Sequence, residues 1–455
     1  MLLTISKTNQ QNLFYSPLSD MLDMNNSLIA LANVIDWKIF ENEFAIFYSK
    51  DGSPAKPIRL MVGLLILKQL ENLSDESIVI QWKRNPYYQY FCGYNEMQLC
   101  EPCHSTQLVK FRQRIGKEGM ELIFKVSVQL HGNKAEEKEV LIDTTVQEKN
   151  ITYPTDGKLA IKMIHHLHKI GKKEQLNLRR TFVKEIKEHR INLRFFKHPK
   201  KIKKARSSIK RLRTIVGILI RDISRNLKQD KLSNYTNTFD LFDKVRNQQI
   251  KDSNKVLSLH ESHVYAITKG KDHKKYEYGT KASIVATKDS GVIVGVASHS
   301  KNEHDSKTLE AALISANKTR TTAIKEVICD RGYRGIKEVL GTIISIPGTT
   351  LKKDTEYQKQ QKRDKFKRRA AIEPIIGHLK SDFRLARNYL KGFIGDQINL
   401  LLAATAWNLK KWMNIYFFAI ISGEMKLLLE SIKQIKLYNQ IFLQLIVIKL
   451  IFTHP

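Results

Sequence analysis

The sequence predicts an α/β protein in which a mixed sheet is flanked by helical regions. Three observations predict it. Short apolar runs, several rich in β-branched residues, occur at 139–146, 276–287, 291–298 and 323–329, as in buried strands. The chain before about residue 135 and after about residue 396 carries apolar residues at helical spacing. Between the first strand and the second lies a strongly basic stretch with helical spacing of its own. The expected organisation is a helical region at 1–135, an α/β region at 136–395 with a helical insertion at about 158–255, and a helical region at 396–455.

Composition narrows the partners. A chain of 455 residues allows two or three domains, and 42% hydrophobic residues suffice for a core. The formal net charge of +32 favours polyanions through steering and counterion release, with nucleic acid first. An anionic membrane is the weaker partner: there is no long uncharged span, and lysines break the apolar C-terminal segments. The first residues lack the basic start of a signal peptide. Four cysteines exclude a disulfide scaffold. Cys100-Glu101-Pro102-Cys103-His104 spells a haem-attachment pattern that requires export, and it reads as a loop. His165, His166 and His168 read as polar surface.

Taken in order, Ile58 to Leu70 is apolar nearly all round and predicts a buried central helix. Ser74 caps the next helix, with Asp75 and Glu76 in its first turn. Ser105 or Thr106 caps a short helix that ends at Gly116 and carries Lys110, Arg112 and Arg114 beside Leu108, Phe111 and Ile115. This region fits either a helix-turn-helix-like DNA reader or a plain helical bundle. Asp143 interrupts the first strand, and a buried acid is costly unless it binds or pairs with something. In the insertion, Lys197 to Lys204 is the densest basic run, followed by a helical stripe from Leu212 to Ile223. The 288–291 turn joins two strands into a hairpin. A helix capped by Asp305 or Ser306 follows. The strand 323–329 ends at Asp330 and opens into Arg331-Gly332-Tyr333-Arg334-Gly335, a typical place for a functional acid. One more short strand is expected at 342–347.

The stretch Arg368 to Arg384 then sets one acid, Glu373, among cations. At 100° per residue Arg369, Glu373, Gly377, Lys380, Arg384 and Arg387 share one stripe. Pro374 means that a helix either kinks at Glu373 or starts there with Glu373 as N-cap. Asp143, Asp330 and Glu373 are therefore the candidate acids. Side-by-side Asp strands with the Glu helix across their ends bring three carboxylates together, a donor set for hard divalent cations. Two such ions can activate a nucleophilic oxygen and stabilise a leaving one at a phosphodiester.

These residues carry a resemblance. Asp143-Thr144-Thr145-Val146 through Asp156, Cys329-Asp330-Arg331-Gly332-Tyr333-Arg334-Gly335, and Arg368-Arg369 through Ile372-Glu373-Pro374 to Lys380 look like the DDE transposases of bacterial insertion sequences, nearest the insertion-sequence-five group. Leu257 to Glu261, the 275–279 stretch and the region from about Asp36 to Gly116 resemble it too, so the likeness spans most of residues 30 to 410. It implies a ribonuclease-H-like core, dependence on Mg²⁺ with Mn²⁺ substituting, and cut-and-paste or related movement of DNA. The acid triad carries over to Asp143, Asp330 and Glu373, as catalytic residues and metal ligands. A Tyr-x2-Arg-x3-Glu-x6-Lys signature carries over to Arg369, Glu373 and Lys380; Phe366 stands where Tyr is usual and receives no role. DNA contacts are expected from Arg369, Lys380, Arg384, Arg331 and Arg334, and from Lys110, Arg112 and Arg114 in the N-terminal region. The implied partners are terminal inverted repeats and target DNA, with a homodimer in a synaptic complex, acting in the cytoplasm at the nucleoid. The rival readings are a nuclease that does not join ends and an inactive relic that only binds DNA. The last thirty or so residues do not resemble the family.

Overall fold

The computed structural model describes residues 16–49, 54–249, 251–268, 275–346, 348, 351 and 353–452, with side chains described as far as Gly423 and not at Phe366. The helix Ile58–Leu70 is buried along nearly its whole length, as its unbroken apolar sequence requires. The next helix, Asp75–Arg84, is capped by Ser74, whose hydroxyl accepts the Ser77 N–H. Two caps differ from expectation. The helix Ser105–Gln129 is capped by the His104 ring, which accepts from the Thr106 N–H, and the helix Asp305–Thr319 by His304 in the same way. Histidine nitrogen does here what serine or aspartate oxygen was expected to do. Gly116 breaks the first of these helices at φ +62°, where the sequence places its end.

Among the described residues seven strands form one mixed sheet: β1 Glu139–Glu148, β2 Tyr265–Ile267, β3 Glu277–Thr287, β4 Ile293–His299, β5 Glu326–Ile328, β6 Glu338–Val339 and β7 Thr342–Ser345. The order is β2-β3-β1-β5-β7-β6, and β4 pairs with β3. β1 is antiparallel to β3 and parallel to β5, and β5 is parallel to β7. The Asp143 and Asp330 strands are therefore direct neighbours. β5 is shorter than the apolar run that predicted it, and the expected strand at 342–347 ends at Ser345, with Pro347 outside the described residues. β2 and β6 were not expected.

One apolar cluster joins the N-terminal helices, the sheet and the start of the helix Gly392–Phe452. A second cluster is confined to residues 159–256 and packs the helix Ile202–Asn226 against Asp156–Lys173. The stripe Leu212, Ile215, Val216, Leu219 and Ile223 lies inside it. Among the described residues no helix is long and apolar enough to cross a membrane.

Candidate active site

The register of two strands brings the first two acids together. Leu141 of β1 lies opposite Ile328 of β5 in the parallel pair. Asp143 and Asp330 each follow two residues later, and side chains two apart share a face. Ile372 is fully buried against Leu141 and Ile328, so the helix that carries it, Ile372–Ser381, crosses this face and brings in the adjacent Glu373.

That helix begins earlier than either expected arrangement. The preceding helix, Glu356–Ala370, ends at Ala371, which also serves as N-cap of the next one. Glu373 is thus the second helical residue, not the cap or the kink. Pro374 is the third, where a missing N–H costs nothing because first-turn donors have no intrahelical partner.

The three carboxylates converge on one cation. The Arg369 guanidinium lies 3.7 Å from Asp143, 3.8 Å from Asp330 and 3.1 Å from Glu373. Its Nε is buried without a hydrogen bond. The Thr144 N–H donates to Asp143 Oδ1 at 2.7 Å, and the Gly332 N–H donates to Asp330 Oδ1 at 2.8 Å. Asp143 and Asp330 are partly covered, whereas Glu373 is 60% exposed. Among the described residues no group of three acid, histidine or cysteine side chains is gathered tightly enough to hold a metal ion as placed, and Arg369 stands between these three. The donors nonetheless fit a hard divalent cation: they are carboxylate oxygens in excess of positive charge, already facing one shared cation. The Cys100–His104 stretch is not such a site. Cys103 is buried, Cys100 is exposed and His104 is a helix cap.

The cations expected to touch DNA are placed differently from one another. Arg331 and Arg334 are exposed on the turn after β5, beside Asp330. Lys380 is half-buried on the Glu373 helix. Arg384, at φ +61°, donates to the Asn72 carbonyl at 2.9 Å, tying the N-terminal region to the segment after that helix. Gln69 does the same through the Phe383 carbonyl at 2.6 Å. Lys110 and Arg114 are exposed, and Arg114 stacks over Tyr48. Arg112 departs from the expectation. It is 4% exposed and makes two bonds to Asp75, which also pairs with the buried Lys68. A guanidinium held there has no access to a phosphate backbone.

Two features had escaped the sequence. Asp305 accepts the Thr144 hydroxyl at 2.9 Å, although it had been read only as a helix start. Lys149, at the end of β1, is buried against Asp396 and Glu261 and donates to the Gly392 carbonyl, pinning the Asp143 strand to the start of the C-terminal helix. Its neighbours Gln147, Glu148 and Asn150 are polar, so nothing in the sequence signalled its burial.

Comparison with known proteins adds three findings. Residues 16–114 match a family described as a transposase domain, and residues 252–409 match one described as a transposase DDE domain. Asp330 and Glu373 fall within the second match, and Asp143 lies between the two. An uncharacterized protein of Rhizobium meliloti, ORF8 in the nfe locus, is 36% identical over 196 residues, which is 42% of this chain and 95% of that protein. No solved structure matches the chain.

Proposed function

The chain belongs to the DDE transposases, and from that premise we propose that it cleaves DNA at the terminal inverted repeats of an insertion sequence of the insertion-sequence-five kind and joins the freed ends to target DNA. The observation that carries this reading is the meeting of Asp143, Asp330 and Glu373 around Arg369. The sheet order, with β1 beside β5 and β3, supports a ribonuclease-H-like core for this region. The division proposed is an N-terminal DNA-reading region at 1–135, a catalytic region at 136–395 with its basic insertion at about 158–255, and a helical region from 396.

In this reading Asp143, Asp330 and Glu373 would hold Mg²⁺, or Mn²⁺ in its place. Bound divalent ions supply activation of the attacking oxygen and charge stabilisation of the leaving one. The chain's own groups do the rest. Backbone N–H groups of Thr144 and Gly332 fix the two Asp carboxylates, so their oxygens are aimed before substrate arrives. Arg369, beside all three carboxylates, would contact a phosphodiester bound at the site. Arg331 and Arg334, beside Asp330, and Lys380, on the Glu373 helix, hold the DNA backbone, with Arg384 bracing the segment after that helix. Lys110 and Arg114 face the end sequence. Two copies act together in a synaptic complex at the nucleoid.

The test is an end-cleavage assay. Purified protein and a duplex carrying the inverted repeat that flanks its gene are combined with Mg²⁺, with Mn²⁺ and with neither. Metal-dependent release of a 3′ hydroxyl end, and its joining to a second duplex, is the expected result. A pre-cut end separates joining from cutting. Cleavage without joining would reduce the assignment to a nuclease, and tight end binding with no cleavage in either metal would leave only a DNA-binding relic.

A further inference from the structure

We infer that Asp305 is a positioning residue of this site, holding Asp143 through Thr144 and walling the turn that carries Asp330. The inference rests on the reading of the site given above. Asp305 opens the helix Asp305–Thr319, but the cap of that helix is His304, so its carboxylate is not needed to start the helix. It turns toward the sheet. Asp305 Oδ1 accepts the Thr144 hydroxyl at 2.9 Å and the Lys281 ammonium of β3 at 3.0 Å. Thr144 is the residue whose N–H fixes the Asp143 carboxylate. A continuous set of hydrogen bonds therefore runs from Lys281 through Asp305 and Thr144 to Asp143.

The second oxygen of Asp305 faces the other acid. A Cβ added at Gly332 would lie 3.1 Å from Asp305 Oδ2 and 3.0 Å from Asp330 Oδ1. Both carboxylates thus border the space that a side chain at 332 would fill, and the Gly332 N–H is what fixes Asp330. Tyr333, the next residue, is fully buried. The turn therefore has Asp305 against Gly332 and the Tyr333 ring anchored in the core. The partner lysine explains why an acid is used. Lys281 is 11% exposed, and its ammonium also donates to the Glu303 carbonyl. A neutral residue at 305 would leave that charge uncompensated beside Thr144. One side chain thus sets the backbone next to both aspartates.

Groups that orient ligating carboxylates matter nearly as much as the ligands. The decisive variants are Asp305→Ala, Thr144→Val, Thr144→Ser and the Asp305→Ala/Thr144→Val pair, in the full chain. Mn²⁺ binding is followed without DNA by the loss of its free-ion paramagnetic resonance signal. Single-turnover end cleavage, DNA affinity and thermal melting are measured beside it. Asp305→Ala and Thr144→Val should each weaken Mn²⁺ binding by roughly 10–100-fold and leave DNA affinity unchanged. The double variant should be no worse than Asp305→Ala alone, because both break one linkage, and Thr144→Ser should restore wild-type binding. Thr144→Val leaves the helix start untouched, so a role confined to that helix predicts wild-type Mn²⁺ binding for it and overturns the inference. Additive losses in the double variant overturn it as well. A wild-type protein that neither binds Mn²⁺ nor cuts overturns the site reading and this inference together. A wild type that does both, matched by Asp305→Ala and Thr144→Val, overturns this inference alone.

Discussion

In the N-terminal helical region one acid, Asp75, is shared by two cations; at the sheet one cation, Arg369, is shared by three acids. Arg112 and Lys68 reach Asp75 at 2.5–2.8 Å, with all three side chains largely buried. Arg369 reaches its partners at 3.1–3.8 Å, and Glu373 remains open to solvent. Burial alone would raise the Asp75 carboxyl, but the Arg112 hydrogen bond and the Lys68 and Arg112 charges outweigh it and hold the group down at about 2. The first cluster pairs its one carboxylate tightly with two buried cations, and both carboxylate oxygens are taken. The second keeps an excess of acceptor oxygens around a single loosely held guanidinium. The two charge clusters thus differ in sign and in tightness, one close and buried, the other looser and open to solvent at Glu373.

The largest expected effect tests the structural member. Asp75→Ala strands two buried cations and should cost about 3–5 kcal/mol of stability in a urea titration; a loss nearer the 0–1 kcal/mol typical of surface pairs would erase the contrast. Asp330→Asn tests the other member. It should slow end cleavage by at least the roughly 100-fold that loss of an outer-shell partner can cost, while the melting temperature holds, because it removes one of three crowded negative charges. A variant that cuts at the parent rate takes Asp330 out of the site.

Acid sharpens the comparison further. The folded Asp75 carboxyl titrates near 2 and the unfolded one near 3.8, so the unfolded chain binds the extra proton between these values. The stabilisation is complete above the upper value and is lost as pH falls toward the lower one. It amounts to about 2 kcal/mol. Denaturant titrations of wild type and Asp75→Asn should therefore differ in slope against pH only within that window. The smallest effect concerns Glu373→Gln. An exposed pair contributes about 0–1 kcal/mol, so its melt should barely move although cleavage is abolished. A folded variant that still cuts removes Glu373 from the acid set.

What the sequence disclosed follows from where the forces are local. β1, β3 and β4 were legible because apolar, β-branched runs specify strands by themselves, and Glu373 stood out as one acid in a basic stripe. β2 and β6 were not, being edge strands of three and two residues whose pairing comes from neighbours distant in the chain. Arg112 was misread although its spacing was informative: Leu108, Phe111, Arg112 and Ile115 fall on one helical face, and that face is buried. Asp305 was hidden because an acid at a helix start has an ordinary explanation, and only the approach of β1 shows that its side chain turns elsewhere. The convergence of three acids on Arg369 depends on the register of β1 with β5, which no single stretch encodes.

The junction at Ala371 has a mechanical meaning. Ile372, just past it, is anchored in the core between Leu141 and Ile328, so Glu373 is fixed in the same frame as Asp143 and Asp330. Arg369, just before it, belongs to the helix Glu356–Ala370, a polar rod braced on the sheet by Lys365 and Glu326. Glu373 and its counter-charge are therefore carried by two helices that meet at Ala371. Because Arg369 and Glu373 lie on opposite sides of this junction, the 3.1 Å contact between them depends on the angle at which the two helices meet.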